Sequence, residues 1–139
     1  MPKVYEIQAI IDWLATYSNF SKMFDVTRAS KDGQLIDFKG TTELDKTSFF
    51  SGKSITTFVN DYILQVDKPF LTMINRKANS EFLVDLQKWV RANSLGCPKL
   101  GNHGRQKVYV DAQEFLGNDT NTEIATYQVQ LHIEYKIFE

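Results

Sequence analysis

The stretch from Ile124 to Phe138 alternates between apolar and polar residues. Tyr127, Val129, Leu131, Ile133, Tyr135 and Ile137 take the odd positions, and Thr126, Gln128, Gln130, His132, Glu134 and Lys136 the even ones. Successive side chains of a strand point to opposite faces, so this period of two predicts a β-strand with one dry and one polar face. In a helix the same apolar residues would scatter around the whole cylinder. At ~3.3 Å per residue such a strand would run to about 50 Å, so it is expected to bend, bulge or project past the body of the domain.

A helical period occurs at two places. Val4, Ile7, Ile10, Ile11, Leu14 and Tyr17 fall on one stripe, with Glu6, Asp12 and Thr16 off it, and predict an amphipathic helix over 3–17. Pro2 suits its start and Ser18-Asn19 its stop. Phe82, Leu83, Leu86, Trp89 and Val90 form a second stripe opposite Glu81, Asp85, Lys88 and Arg91, predicting a helix over 80–94. Asn79 or Ser80 can cap it, and Gly96 and Pro98 end it.

The intervening segments read as strands and turns. Phe24 to Ala29 alternates as a short strand, residues 30–33 carry turn chemistry, and Leu35 to Phe38 reads as a returning strand. Residues 40–54 are polar and bounded by glycines, with Phe49 and Phe50 set among them. Two readings fit: a hairpin whose tip returns both rings to the core, or a protruding arm that orders against a partner. The first is preferred, because adjacent aromatics in a strand usually bury one member. Ile55 to Val66 reads as a strand with a bulge or tight turn at Asn60-Asp61, ended by Asp67-Lys68-Pro69. Gln106 to Phe115, a turn over 117–121 and the terminal strand make an antiparallel hairpin. Together these elements predict an α+β fold: an antiparallel-rich or mixed sheet with both helices on one face and a long C-terminal strand.

Composition narrows the class. With 139 residues, 42% hydrophobic and 13% aromatic, the chain suits one folded domain over 1–139 rather than a disordered segment. A net charge of −1 gives no global attraction to nucleic acid or anionic membrane. The lone Cys97 excludes an internal disulfide and fits a reducing compartment. The first twelve residues are too polar for a signal peptide, and no stretch is long enough to span a bilayer, which predicts a soluble, intracellularly made protein.

Catalytic and cofactor motifs are absent: there is no phosphate-binding Walker loop, nucleophile elbow, H-E-x-x-H or Cys-x-x-Cys pair. Cys97, His103 and His132 lie in unlike elements and lack a fourth ligand, so neither metal nor cofactor is expected. His132, among Gln130 and Glu134, reads as an ordinary solvated histidine, and Cys97 as a loop thiol. Lys99, His103, Arg105 and Lys107 fall within nine residues that contain no acid. The sharper reading of this basic loop is contact with DNA phosphates or an acidic surface; the preferred reading is a solvated loop, because the cluster is small and no aromatic stacks within it.

The region from Ser80 to Tyr135 resembles the small minor capsid or tail-terminator proteins of long-tailed phages and prophages of Gram-positive bacteria. The resemblance rests on F-L-V-D-L-Q-K-W-V (Phe82 to Val90) and P-K-L-G-N-H-G (Pro98 to Gly104). It continues through Q-K-V-Y-V (Gln106 to Val110), Phe115-Leu116 and A-T-Y-Q-V-Q-L (Ala125 to Leu131). Ile11-Asp12-Trp13-Leu14 also fits in position and type, whereas residues 30–78 do not align. The resemblance implies a non-enzymatic structural protein of the virion neck, made in the host cytoplasm. Such proteins self-assemble into a ring, commonly hexameric, that caps the tail tube and joins it to the head, touching the major tail protein and head-completion proteins. DNA would pass through without sequence recognition.

On this reading Phe49, Phe50, Thr126, Gln128, Gln130 and His132 are candidate subunit or partner contacts, because uncharged polar groups desolvate more cheaply than Lys or Glu. A head-completion or tail-tube protein is the neighbouring alternative. A ligand-binding α+β domain is the alternative from another class.

Overall fold

The computed structural model of the chain describes residues 4–17, 36–69, 73–119 and 124–139. The first helix, α1, spans Val4–Leu14, followed by strands β1 (Ile36–Ser48) and β2 (Ser54–Pro69). Helix α2 spans Met73–Ala92, a 3-10 turn Ser94–Gly96, and strands β3 and β4 run His103–Asp119 and Ile124–Phe138. The four strands form one antiparallel sheet in the order β1-β2-β4-β3, giving an α+β fold. The strand read over 24–29 and the turn over 30–33 lie outside the described residues, as do Pro2, the helix stop at Ser18-Asn19 and the end of the turn over 117–121.

The period-two pattern of β4 places it at the centre of the sheet, where both of its edges are paired. Val129, Leu131 and Ile133 are fully buried. They join Tyr62 and Leu64 of β2, Ile36 of β1 and Val108 of β3 in one cluster with Ile10, Trp13 and Leu14 of α1 and Leu86 and Val90 of α2. Both helices therefore cover the same face of the sheet. An aromatic group joins them: the Trp13 and Trp89 rings lie 5.2 Å apart, and Tyr17 meets Trp89 edge-on at 5.1 Å. The Trp13 indole N–H donates to the Asn93 carbonyl at 3.2 Å, tying α1 to the end of α2.

The register between β2 and β4 is uninterrupted from Ile55 opposite Phe138 to Pro69 opposite Ile124. The irregularities fall on the two edge strands instead: β1 shifts register between Phe38 and Gly40 and between Glu43 and Asp45, and β3 shifts three times. The bulge expected at Asn60-Asp61 is thus on the partner strand, where Gly40 pairs with Asp61. Asn60 is held straight by its own bonds. It accepts from Thr41 Oγ1 at 2.7 Å and Tyr135 Oη at 3.0 Å, and donates to Tyr62 Oη at 3.2 Å.

Other expectations change as well: residues 117–119, read as the start of a turn, continue β3 and pair with β4. Helix α2 begins at Met73 rather than residue 80, since 73–79 is helical without carrying a recognisable apolar stripe. Strand β3 begins at His103, three residues before the expected start. Residues 40–54 do form a hairpin, but its tip does not return Phe49 and Phe50 to the core: they are 45% and 114% exposed. The reason is reach. Every residue from Thr41 to Lys53 is exposed; β2 stays paired with β4 and buries Thr56, Val59 and Asn60, but no described residue from Thr41 to Asp61 belongs to the cluster under the helices, so the tip lies past the layer that they cover. Its turn is closed by the Phe49 N–H to the Lys53 carbonyl at 2.9 Å and the Gly52 N–H to the Phe49 carbonyl at 3.0 Å. Gly52 supplies the left-handed backbone there, with φ +85°.

Leu131→Ala should lower stability by ~2–5 kcal/mol, because it opens a cavity under both helices. Phe50→Ser should change it by less than about 0.5 kcal/mol, as expected for an exposed side chain. Urea unfolding followed by circular dichroism measures both, and a Phe50→Ser loss as large as that of Leu131→Ala would show that the tip is packed.

Candidate functional site

Three surfaces carry the candidate residues: the outer face of the sheet, the hairpin tip and the segment that enters β3. The outer face is the one that neither described helix covers. Register places Gln128, Gln130, His132, Glu134 and Lys136 of β4 beside Gln65, Ile63, Asp61, Val59 and Thr57 of β2. Gln128, Gln130 and His132 share this face and are half-buried. Thr126 pairs with Asp67 and Gly117, and only its backbone is described.

His132 is not a solvated histidine: its side chain is only 12% exposed. It stands opposite Asp61 of β2 and Tyr109 of β3, so both neighbouring strands supply it with contacts. Nδ1 lies 2.5 Å from Asp61 Oδ1, and the Tyr109 ring lies 5.0 Å from the imidazole. Nε2 is buried without a hydrogen-bond partner and stands 3.5 Å from Asp111 Oδ2. Lys107 Nζ also lies over the Tyr109 ring, 5.2 Å from its centre. Burial first, then the carboxylates of Glu134, Asp111 and Asp61, raises the Tyr109 phenol above its ordinary value. The result is a cross-strand brace that ties β2, β4 and β3 on the wet side of the sheet.

The segment into β3 is shaped by two amides that sequence patterns do not single out. Gln106 Oε1 accepts from the Leu100 and Gly101 N–H groups, while its Nε2 donates to the Pro98 carbonyl at 3.0 Å. Asn102 accepts from the Phe138 N–H at 2.6 Å and donates to the Phe138 carbonyl at 3.0 Å. Gly101 crosses so close to β4 that a Cβ there would run into the Lys136 backbone. The only forward signal was the polar residue types themselves, Asn in a Gly-rich loop and Gln at a strand start.

This segment presents Lys99, Arg105 and Lys107 as exposed cations, whereas His103 stacks on Phe138 with ring centres 5.8 Å apart. The structure adds Arg91 from the last turn of α2. Two adjoining clefts of about 310 and 630 Å³ share Ser94, Arg105 and Gln106; Leu95, Cys97 and Lys99 line the first, and Arg91 and residues 107–111 the second.

Cys97, His103 and His132 do not come together, and among the described residues no group of three or more His, Cys, Asp or Glu side chains could hold a metal ion. Cys97 is buried against the core rather than free in a loop, and burial pushes its thiol up to about 12. Among the described residues no helix is long and apolar enough to cross a membrane. The chain matches no protein-family model and no curated protein sequence.

Because the fold favours the neutral Cys97 thiol, that stabilisation is complete below the ordinary value of 9.0 and is lost as pH rises toward about 12. The native chain should therefore react slowly with Ellman's reagent at pH 8 and promptly once unfolded in urea. Equally fast reaction in both states would overturn the buried placement.

Proposed function

We propose that the chain is a structural, self-assembling protein of the head–tail neck of a long-tailed phage or prophage, of the tail-terminator kind. The observation that carries the assembly part is the projecting β1-β2 hairpin. It holds Phe50 fully exposed, with Phe49 at 45% and Leu44 at 51%, beyond any part of its own core. Exposed aromatics at a hairpin tip are suited to insertion into a partner, because they bury much apolar area at little cost in side-chain entropy. The resemblance over Ser80 to Tyr135 supports the neck assignment.

In a ring, the stripe of Gln128 and Gln130 faces either the neighbouring subunit or the lumen. Glutamine is suited to both, since it can pair across an interface without leaving a buried charge. The major tail protein and head-completion proteins are the partners on this reading, with no catalytic step.

Light scattering after size-exclusion chromatography, then electron microscopy with and without tail tubes, tests the reading. Rings or stacked discs are expected, and a chain that stays monomeric at high concentration even with tail tubes present would overturn it. Gln128→Lys with Gln130→Lys should leave the far-ultraviolet circular dichroism and thermal midpoint unchanged and abolish ring formation.

A further inference from the structure

The clefts along β3 form a groove whose rim is set by Arg91, Lys99, Arg105 and Lys107. All four are exposed, and Arg91, Lys99 and Arg105 make no ion pair among the described residues. The acids nearby are Asp111, which lines the larger cleft and approaches His132, Asp61, which is held on His132 Nδ1, and Glu134, in register with Lys107. Four cations against three acids, of which Asp61 and Asp111 are turned toward His132, leave a local positive excess on a chain whose net charge is −1. In sequence the cluster is small. The fold enlarges it by bringing in Arg91 and concentrates it on one edge of the sheet.

We infer that this groove is a sequence-independent contact for the phosphate backbone of duplex DNA. Exposed Lys side chains act as movable point charges and Arg side chains as forks that pair with phosphate oxygens; directed at the backbone, neither carries base readout. Duplex is favoured over single strands because Tyr109, the aromatic ring of the groove, is occupied by His132 and Lys107 and is not free to stack on a base. An acidic peptide added as an extra strand fits less well. Strand β3 shifts register between His103 and Lys107 and again between Val110 and Gln113, so its edge offers no continuous ladder across the groove. The inference does not depend on ring formation; a ring would only multiply a weak contact.

Fluorescence anisotropy of a labelled 20-base-pair duplex, titrated with the chain at several salt concentrations, tests it. Four phosphates neutralised per chain predict a log–log salt slope of up to about −3.6, with binding at low salt that fades near physiological ionic strength. Arg105→Glu with Lys107→Glu should weaken low-salt binding at least tenfold and reduce the slope by about 1.8, whereas Lys46→Glu on the hairpin should change neither. No binding at low salt, equal loss in Lys46→Glu, or tighter binding to poly-glutamate than to duplex would each overturn it. Light scattering on the same samples reports assembly separately, so either proposal can fail without the other.

Discussion

The alternation of β4 is the constraint on which the rest depends. Val129, Leu131 and Ile133 face the helices and Gln128, Gln130 and His132 face away, because the side-chain period is two. A slip of one residue would bury Gln130 and His132 and expose Leu131 and Ile133. The unbroken ladder with β2 holds this register from one end of the strand to the other. Once it is set, the helices have one surface to seal, and Trp13, Tyr17 and Trp89 join them above it. The polar face then acquires its own order, with His132 set between Asp61 and Tyr109 purely as a result of pairing.

What could be read in the sequence follows how local each signal is. The terminal strand, its β3 partner and both helical stripes declare themselves by periodicity within a dozen residues or so. Met73 to Asn79 does not, since a helix turn without an apolar stripe looks like a loop. The hairpin was only half legible. Thr41, Thr42 and Thr47 favour extended backbone, but with every residue from Thr41 to Lys53 exposed there is no dry side in this stretch to betray where the core ends. The surroundings of His132 were invisible, because Asp61 lies 71 residues away and becomes a neighbour only through register. Gln106 and Asn102 act through backbone groups, which leave no pattern in the side chains.

The candidate surfaces are consequently unequal. Phe49 and Phe50 stand at a tip that the core does not reach, and the cations stand along the opposite edge of the same sheet. One surface is apolar and suits a protein; the other is charged and suits a polyanion. The proposed neck role calls for both kinds of partner, and the four-stranded sheet carries the two surfaces on its opposite edge strands.

The broken registers of β1 and β3 carry a last consequence. A sheet with straight, bare edges can recruit further copies through its backbone alone, and growth of that kind is open-ended and hard to reverse. Here both outer strands are kinked where a newcomer would have to zip on. Under the proposed assembly, copies of this chain would recognise one another through side chains, whose shapes count subunits and whose contacts can be undone. That suits a particle built from a fixed number of parts rather than a fibre.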